Sequence, residues 1–308
     1  MKPSLMRYVR VLVASACALA LFPALSQERS PEALRSAARQ APDLRLPAEA
    51  STLGAFATPG MALYKPEGQG PFPALVLQHQ CGGLGSPRWS NQSMLQWARD
   101  SVARGWVVLM LDSFGQRQVD TVCMGPKAGV NYFRGTLDTL QGARHLAGLP
   151  YVDKERIALA GYSWGAMNAV MASSKAYGDA LADGGPRFGA AVAFYPGCFN
   201  FRPPNAPPFE IARSDIDRPL LVLMGERDTE TPAAECLPRL EAAKAAGAPV
   251  QWHVYPGTTH CWDCRNLDGL RKVDNRGSQV EYRYDEAVTR DSLKRMFEFL
   301  EEALKVRR

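Results

Sequence analysis

Gly161-Tyr162-Ser163-Trp164-Gly165 is a G-x-S-x-G pattern, which sets a serine hydroxyl on a turn between a strand and a helix. Such a pentapeptide also arises by chance, so its context decides. The short apolar run Ile157-Ala158-Leu159-Ala160 precedes it, and a small-residue helical pattern over 165–174 follows. A turn that tight has no room for side chains on either side of the serine, which explains Gly161 and Gly165. A residue at a helix N-terminus also faces the positive end of the helix dipole. The pattern predicts a nucleophile at Ser163. The plain alternative is a Gly-Ser turn with no chemistry.

A serine hydroxyl needs a neighbouring imidazole to accept its proton. The chain has 4 histidines. His145 falls inside a helical pattern and reads as a surface or packing residue. His253 lies mid-strand, between Trp252 and Val254, and reads as structural. His79 ends an apolar run but precedes the serine. His260 closes Pro256-Gly257-Thr258-Thr259-His260, after the run 250–255. One known order for a catalytic triad along the chain is serine, acid, histidine, and only His260 fits it. The acid should then follow a strand between the two. Leu220 to Met224 leads into Gly225-Glu226-Arg227-Asp228-Thr229-Glu230, and Asp228 is the candidate. Glu226 and Glu230 read as solvated loop charges.

Acyl transfer also needs N–H donors aimed at a developing oxyanion. The backbone N–H of Trp164 is one candidate. The other is the N–H of Cys81, in His79-Gln80-Cys81-Gly82-Gly83, with Gln80 as its competitor and a simple turn as the plain reading. Trp164, Tyr195 and Trp262 are candidates to line an acyl or aromatic pocket. Ordinary packing competes for Tyr195 and Trp262. Trp89 and Trp97 read as packing on helices.

These residues need elements to position them. Apolar runs at 74–77, 106–111, 157–160, 190–195, 220–224 and 250–255 read as strands buried on both faces. Helical patterns at 92–104, 131–147, 165–174, 233–246 and 285–304 alternate with them. Strands separated by helices imply crossovers and a parallel sheet. The expected fold is a doubly wound, mostly parallel α/β domain with helices on both faces. Its ligands bind at the carboxyl ends of the strands. The proline-rich stretch 196–218 reads as a surface loop near that edge.

Composition limits the rest. Of 308 residues, 46% are hydrophobic and 22% charged, as in an ordinary globular enzyme. The formal charge of +5 owes much to Lys2, Arg7 and Arg10, so no basic surface for nucleic acid is expected. Those three residues, the apolar run Val11 to Phe22 and Ala24-Leu25-Ser26 read as a cleaved secretory signal over 1–26. A lipoprotein cysteine at Cys17 is the lesser reading. No later run is long enough for a membrane span. Residues 27–50 read as a linker or a loosely docked first helix, and 51–308 as one domain. The expected location is the periplasm or the medium.

Export leaves Cys81, Cys123, Cys198, Cys236, Cys261 and Cys264, an even set that points to disulfides. Six cysteines allow 15 pairings. Cys261 and Cys264 flank the loop of His260, and Cys81 and Cys123 each follow a strand end; bridges at those two places would leave Cys198 with Cys236, but sequence alone does not choose among the pairings. A metal cluster at His260, Cys261, Asp263 and Cys264 is the competing reading, but it lacks a second cysteine pair. Neither metal nor cofactor is expected.

Together, the loop from His79 to Gly83, the elbow from Gly161 to Gly165, Phe194-Tyr195-Pro196-Gly197, Gly225-Glu226-Arg227-Asp228 and Tyr255 to His260 resemble the dienelactone hydrolase family of α/β-hydrolases. The likeness runs over about 60–300. It implies a hydrolase of small-molecule esters or lactones with the triad Ser163, Asp228 and His260. The chain departs from the founding members in its serine nucleophile, its signal and its Cys261-Trp262-Asp263-Cys264 segment. The competing readings are a ligand-binding protein on the same scaffold and a small serine peptidase of prolyl-oligopeptidase type.

Overall fold

A computed structural model describes residues 29–54, 57–86, 89–203 and 207–306. The proposed signal over 1–26 lies outside the described residues, as do Pro204 and the side chain of Trp89. Seven strands form the main sheet: β1 (Ala62–Tyr64), β2 (Phe72–Gln78), β3 (Val107–Leu111), β4 (Val152–Tyr162), β5 (Ala190–Phe194), β6 (Leu220–Gly225) and β7 (Val250–Tyr255). Their order across the sheet is β1-β3-β2-β4-β5-β6-β7. All pairs are parallel except β1 with β3. The three residues of β1 carry no apolar run long enough to signal a strand, so this antiparallel edge was not legible.

The central strands are apolar throughout because both faces are covered. Ala74, Val76, Ile157 and Leu159 face one core, while Leu75, Leu77, Ala158 and Ala160 face the other. Helices α3 (Tyr132–Ala147), α4 (Trp164–Ser173) and α6 (Ala233–Ala245) fill the first face. Helices α2 (Gln92–Ala103) and α7 (Glu286–Ala303) fill the second. Each large aliphatic side chain buried in this way contributes about 1.5–3 kcal/mol. Every residue of α4 is buried, which explains its small-residue pattern. Gly135 of α3 makes room for it: a Cβ there would sit 2.4 Å from the Trp164 ring.

Of the two readings of 27–50, a linker or a docked first helix, the described residues 29–50 match the second. Helix α1 (Pro31–Ala38) starts with Ser30 accepting the Ala33 N–H and Pro31 in its first turn. It buries Leu34 and Ala38 against α3 and α5 (Lys175–Ala182), the latter a helix that the sequence pattern did not show. Arg134, fully buried, pairs with Asp138 at 2.5 Å and with Asp43 at 2.9 Å. Arg117 joins Asp138 at 2.6 Å and donates to the Pro42 carbonyl at 2.9 Å. Removing Arg134, Arg117 or Asp138, whose side chains are buried, costs about 3–5 kcal/mol because a charge is left unpaired, whereas Asp43 is 68% exposed and adds little. The extension is thus tied to the domain through the Ala41 and Pro42 carbonyls, which accept from Arg134 and Arg117, and through Asp43.

The stretch 196–218 is only partly a surface loop. Asn200–Phe201 pairs with Phe209–Glu210, and Ile211, Ala212 and Ile216 are buried. After β7 a hairpin, β8 (Arg271–Val273) and β9 (Gln279–Glu281), folds back over the end of the sheet. Among the described residues, no helix is long and apolar enough to cross a membrane.

Candidate active site

Five loops meet at the carboxyl edge, each directly after a parallel strand: 79–83 after β2, Ser163 after β4, Tyr195 after β5, Asp228 after β6 and His260 after β7. Ser163 has φ 51°, a conformation that non-glycine residues seldom adopt. Two contacts force it. A Cβ on Gly161 would lie 2.0 Å from the Gly165 carbonyl oxygen, and one on Gly165 would lie 2.3 Å from that of Gln78. The turn is therefore wedged between its own helix and β2. Local strain of this kind occurs at functional sites held by their surroundings.

The serine hydroxyl lies 3.0 Å from His260 Nε2, and His260 Nδ1 lies 2.7 Å from Asp228 Oδ2. All three side chains are buried. Asp228 is aimed by its own loop: Oδ1 accepts the N–H groups of Glu230 at 2.9 Å and Thr231 at 2.8 Å. The Thr231 hydroxyl donates to Asp228 Oδ2 at 2.8 Å. With Asp228 accepting from Nδ1–H, Nε2 is the unprotonated nitrogen that faces the serine. Burial disfavours the His260 imidazolium, but the charges of Asp228 and Glu230 outweigh it and raise its pKa above the usual histidine value.

The two candidate oxyanion donors come from different segments, the start of α4 and the loop after β2. The Trp164 N–H opens α4, so no carbonyl one turn earlier within the helix can take it. The 79–83 loop is pinned from both ends. Gln80 O accepts the Gly83 N–H at 3.0 Å, while Cys81 O accepts Val122 N–H at 2.9 Å and the Thr121 hydroxyl at 3.1 Å. The Cys81–Cys123 disulfide adds a covalent tie. Gln80 spends its side-chain amide on Tyr195 and Asn91, so only its backbone is available to a substrate.

Tyr195 and Trp262 do not line an open pocket. Both are fully buried. Tyr195 stacks edge-on against His260, with centroids 4.7 Å apart, and against Trp262 at 4.8 Å. Its hydroxyl donates to Asp263 Oδ1 at 2.7 Å, and Trp97 Nε1 donates to Oδ2 at 2.8 Å. They form the wall behind the imidazole, because β5 and β7 end there and leave the pair packed between loops. Trp164 is likewise buried, against Phe114 and His79. A separate cleft of about 450 Å³ is lined by Tyr132, Phe199, Phe201, Arg239 and Arg276 among others, and by no member of the triad. Its link to the elbow is Tyr132, whose ring lies 6.5 Å from that of Trp164.

Glu230 also departs from the sequence reading. Its side chain is only 14% exposed and lies 3.8 Å from His260 Nε2. Glu226, by contrast, is exposed and accepts the Gly257 N–H. The six cysteines form Cys81–Cys123, Cys198–Cys236 and Cys261–Cys264, the arrangement in which the two strand-end cysteines pair. The last of these closes the loop directly after His260.

Solved structures share the architecture. A Klebsiella pneumoniae protein assigned as a dienelactone hydrolase aligns with TM-score 0.57 and 18% identity, over 78% of this chain and 92% of its own. MGS-M1, an α/β-hydrolase enzyme from a Medee basin deep-sea metagenome library, gives 0.54 and 18%, over 84% and 98%. Esterase 2 of Thermogutta terrifontis, phosphonylated by cyclosarin, gives 0.58 and 17%, over 84% and 97%. At these identities the likeness establishes the α/β-hydrolase fold. No curated protein matches significantly. The family model for dienelactone hydrolases matches residues 60–304, most of the chain, and the protein therefore belongs to the dienelactone hydrolase family.

Proposed function

We propose that this hydrolase is an exported serine esterase that cleaves small carboxylic esters or lactones through Ser163, His260 and Asp228. The observation that carries the reading is the unbroken line from Asp228 Oδ2 through the imidazole to Ser163 Oγ, at 2.7 and 3.0 Å. Ser163 Oγ attacks the acyl carbonyl as its proton passes to His260 Nε2. Asp228 holds the Nδ1–H tautomer and favours the imidazolium that forms. The N–H groups of Trp164 and Cys81 receive the oxyanion. The C–O bond to the alcohol breaks as His260 returns the proton to the leaving oxygen. Water then repeats the sequence on the acyl-enzyme and frees the acid. No step calls for a metal or cofactor. Three disulfides in one chain support an oxidising compartment, the periplasm or the medium.

The test is covalent labelling. The oxidised mature protein is treated with a fluorophosphonate, the class of reaction seen in the Thermogutta esterase, and its intact mass is measured. One adduct is expected on the wild type and none on Ser163→Ala. An unlabelled wild type would overturn the reading.

A further inference from the structure

We propose that Glu230 is a second carboxylate for the imidazole: a positioning residue that acts through His260 by favouring its charged form from the Nε2 edge. The inference rests on the triad reading above. Asp228 serves Nδ1, and Glu230 stands on the opposite side of the ring, with Oε2 3.8 Å from Nε2.

The distance decides the role. At 3.8 Å Glu230 is too far to hydrogen-bond Nε2, so that nitrogen remains free for Ser163 Oγ at 3.0 Å. It is close enough for its charge to act strongly in a buried setting. A carboxylate one ångström nearer would compete with the serine for the same nitrogen. Two anchors prevent this approach. Tyr282 donates its hydroxyl to Glu230 Oε2 at 2.7 Å, and Lys272 Nζ donates to Oε1 at 2.8 Å. Both anchors belong to the hairpin segment that follows the His260 loop. Tyr282 also bridges His260 through the backbone, and the Arg283 N–H donates to Thr259 Oγ1 at 2.9 Å. The same segment therefore fixes the imidazole and the second carboxylate relative to each other.

The other charges around the ring are accounted for. Asp228 faces it from the β6 loop. Lys272 faces it from the hairpin and opposes Glu230. Asp263 lies behind Tyr195, on the far side of the ring. Arg276 donates to the backbone carbonyl of Glu230 at 2.7 Å and to the Glu235 carboxylate, so it does not neutralise the Glu230 side chain. Burial pushes the Glu230 carboxyl up, but His260, Lys272 and the Tyr282 hydroxyl outweigh this and keep it ionised. Glu230 takes no proton in any step. The proton moves from Ser163 Oγ to His260 Nε2 and on to the leaving oxygen, and Glu230 stabilises the interval in which the ring carries it.

The rate of Ser163 labelling by a fluorophosphonate, followed against pH, tests this without knowledge of the natural substrate. Glu230→Gln keeps an acceptor for Tyr282 and removes the charge. Its acid limb should move about one pH unit lower, a tenfold fall in proton affinity, with a plateau rate several-fold below wild type. Lys272→Met removes the opposing cation, and its acid limb should move up. A structural ion pair would predict loss of rate or stability in both variants with the limb unmoved. An unmoved limb in both, or a shift in the same direction, overturns the proposal. If Glu230→Gln does not fold, the direction of the Lys272→Met limb still decides. A wild type that never labels overturns the triad reading itself, which separates the two failures.

Discussion

Two imidazoles are buried at the carboxyl edge of the sheet, His79 after β2 and His260 after β7, and both lie within 4 Å of a carboxylate. Burial disfavours the charged ring in both, yet their pKa values move in opposite directions: His79 falls below the usual histidine value and His260 rises above it. The difference lies in what each nitrogen meets. His79 Nε2 accepts the backbone N–H of Ser113 at 3.1 Å, and Nδ1 donates to the Gln80 carbonyl at 2.7 Å. Only the neutral ring with its proton on Nδ1 satisfies both, since a proton on Nε2 would face another N–H. Asp112 is 3.8 Å away and committed elsewhere, its Oδ1 accepting from Phe114 and Gly115 N–H groups. His260 meets a carboxylate at 2.7 Å and a hydroxyl at 3.0 Å, and both tolerate a proton on the ring. A nearby acid is therefore not enough to make a base; the ring must also have a nitrogen whose partner can lose a proton to it.

The largest test of this contrast removes the two carboxylates in turn. Asp228→Asn keeps the shape but loses the preference for the Nδ1–H tautomer, and the hydrolytic or labelling rate should fall about 10⁴-fold. Asp112→Asn keeps an acceptor for its two N–H donors, and the rate should stay within about threefold of wild type, inside the range of changes remote from the chemistry. Matched losses would break the comparison.

A smaller effect is expected on stability. His79→Leu fills the space between Phe114 and Trp164 but leaves the Ser113 N–H without its acceptor. The cost should be about 1–3 kcal/mol in denaturant unfolding with disulfides intact. The labelling rate should stay within about tenfold, because His79 braces the elbow through Trp164 without touching Ser163. A loss of rate as large as that of Asp228→Asn would assign His79 to the chemistry and dissolve the distinction.

How far the sequence could carry this contrast follows from how local each signal is. The elbow is written in five consecutive residues, and the contacts that demand its glycines lie within that turn and on the adjoining β2. Asp228 and His260 were legible because each follows an apolar strand in a known chain order. The packing of His79 was not, since it depends on Ser113, 34 positions away. The burial of Glu230 escapes local reading for the same reason: a loop glutamate looks solvated until Lys272 and Tyr282, 42 and 52 positions on, fold over it. The aromatic positions Tyr195 and Trp262 were legible as neighbours of the site. Whether a ring lines a pocket or backs an imidazole is set by where adjacent strands end, which no local pattern records.

The smallest expected effect is the pH dependence of folding, and it distinguishes the two rings by sign. The folded pKa of His79 is depressed below the unfolded value of about 6.5. Below that pH the unfolded chain binds the proton that the folded one refuses, so His79 costs stability as pH falls, with a slope of at most about 1.4 kcal/mol per pH unit. The folded pKa of His260 is raised, so its contribution is complete below about 6.5 and is lost as pH rises through the folded value. The two slopes lie on opposite sides of the unfolded pKa and have opposite signs. Unfolding free energies from urea titrations at half-unit steps between about pH 5.5 and 8 can separate them. His79→Leu should flatten the acid side alone, and His260→Gln the neutral side alone. Flattening of the same side by both variants would mean that the two rings share one electrostatic environment, and the contrast drawn from their nitrogen partners would fall.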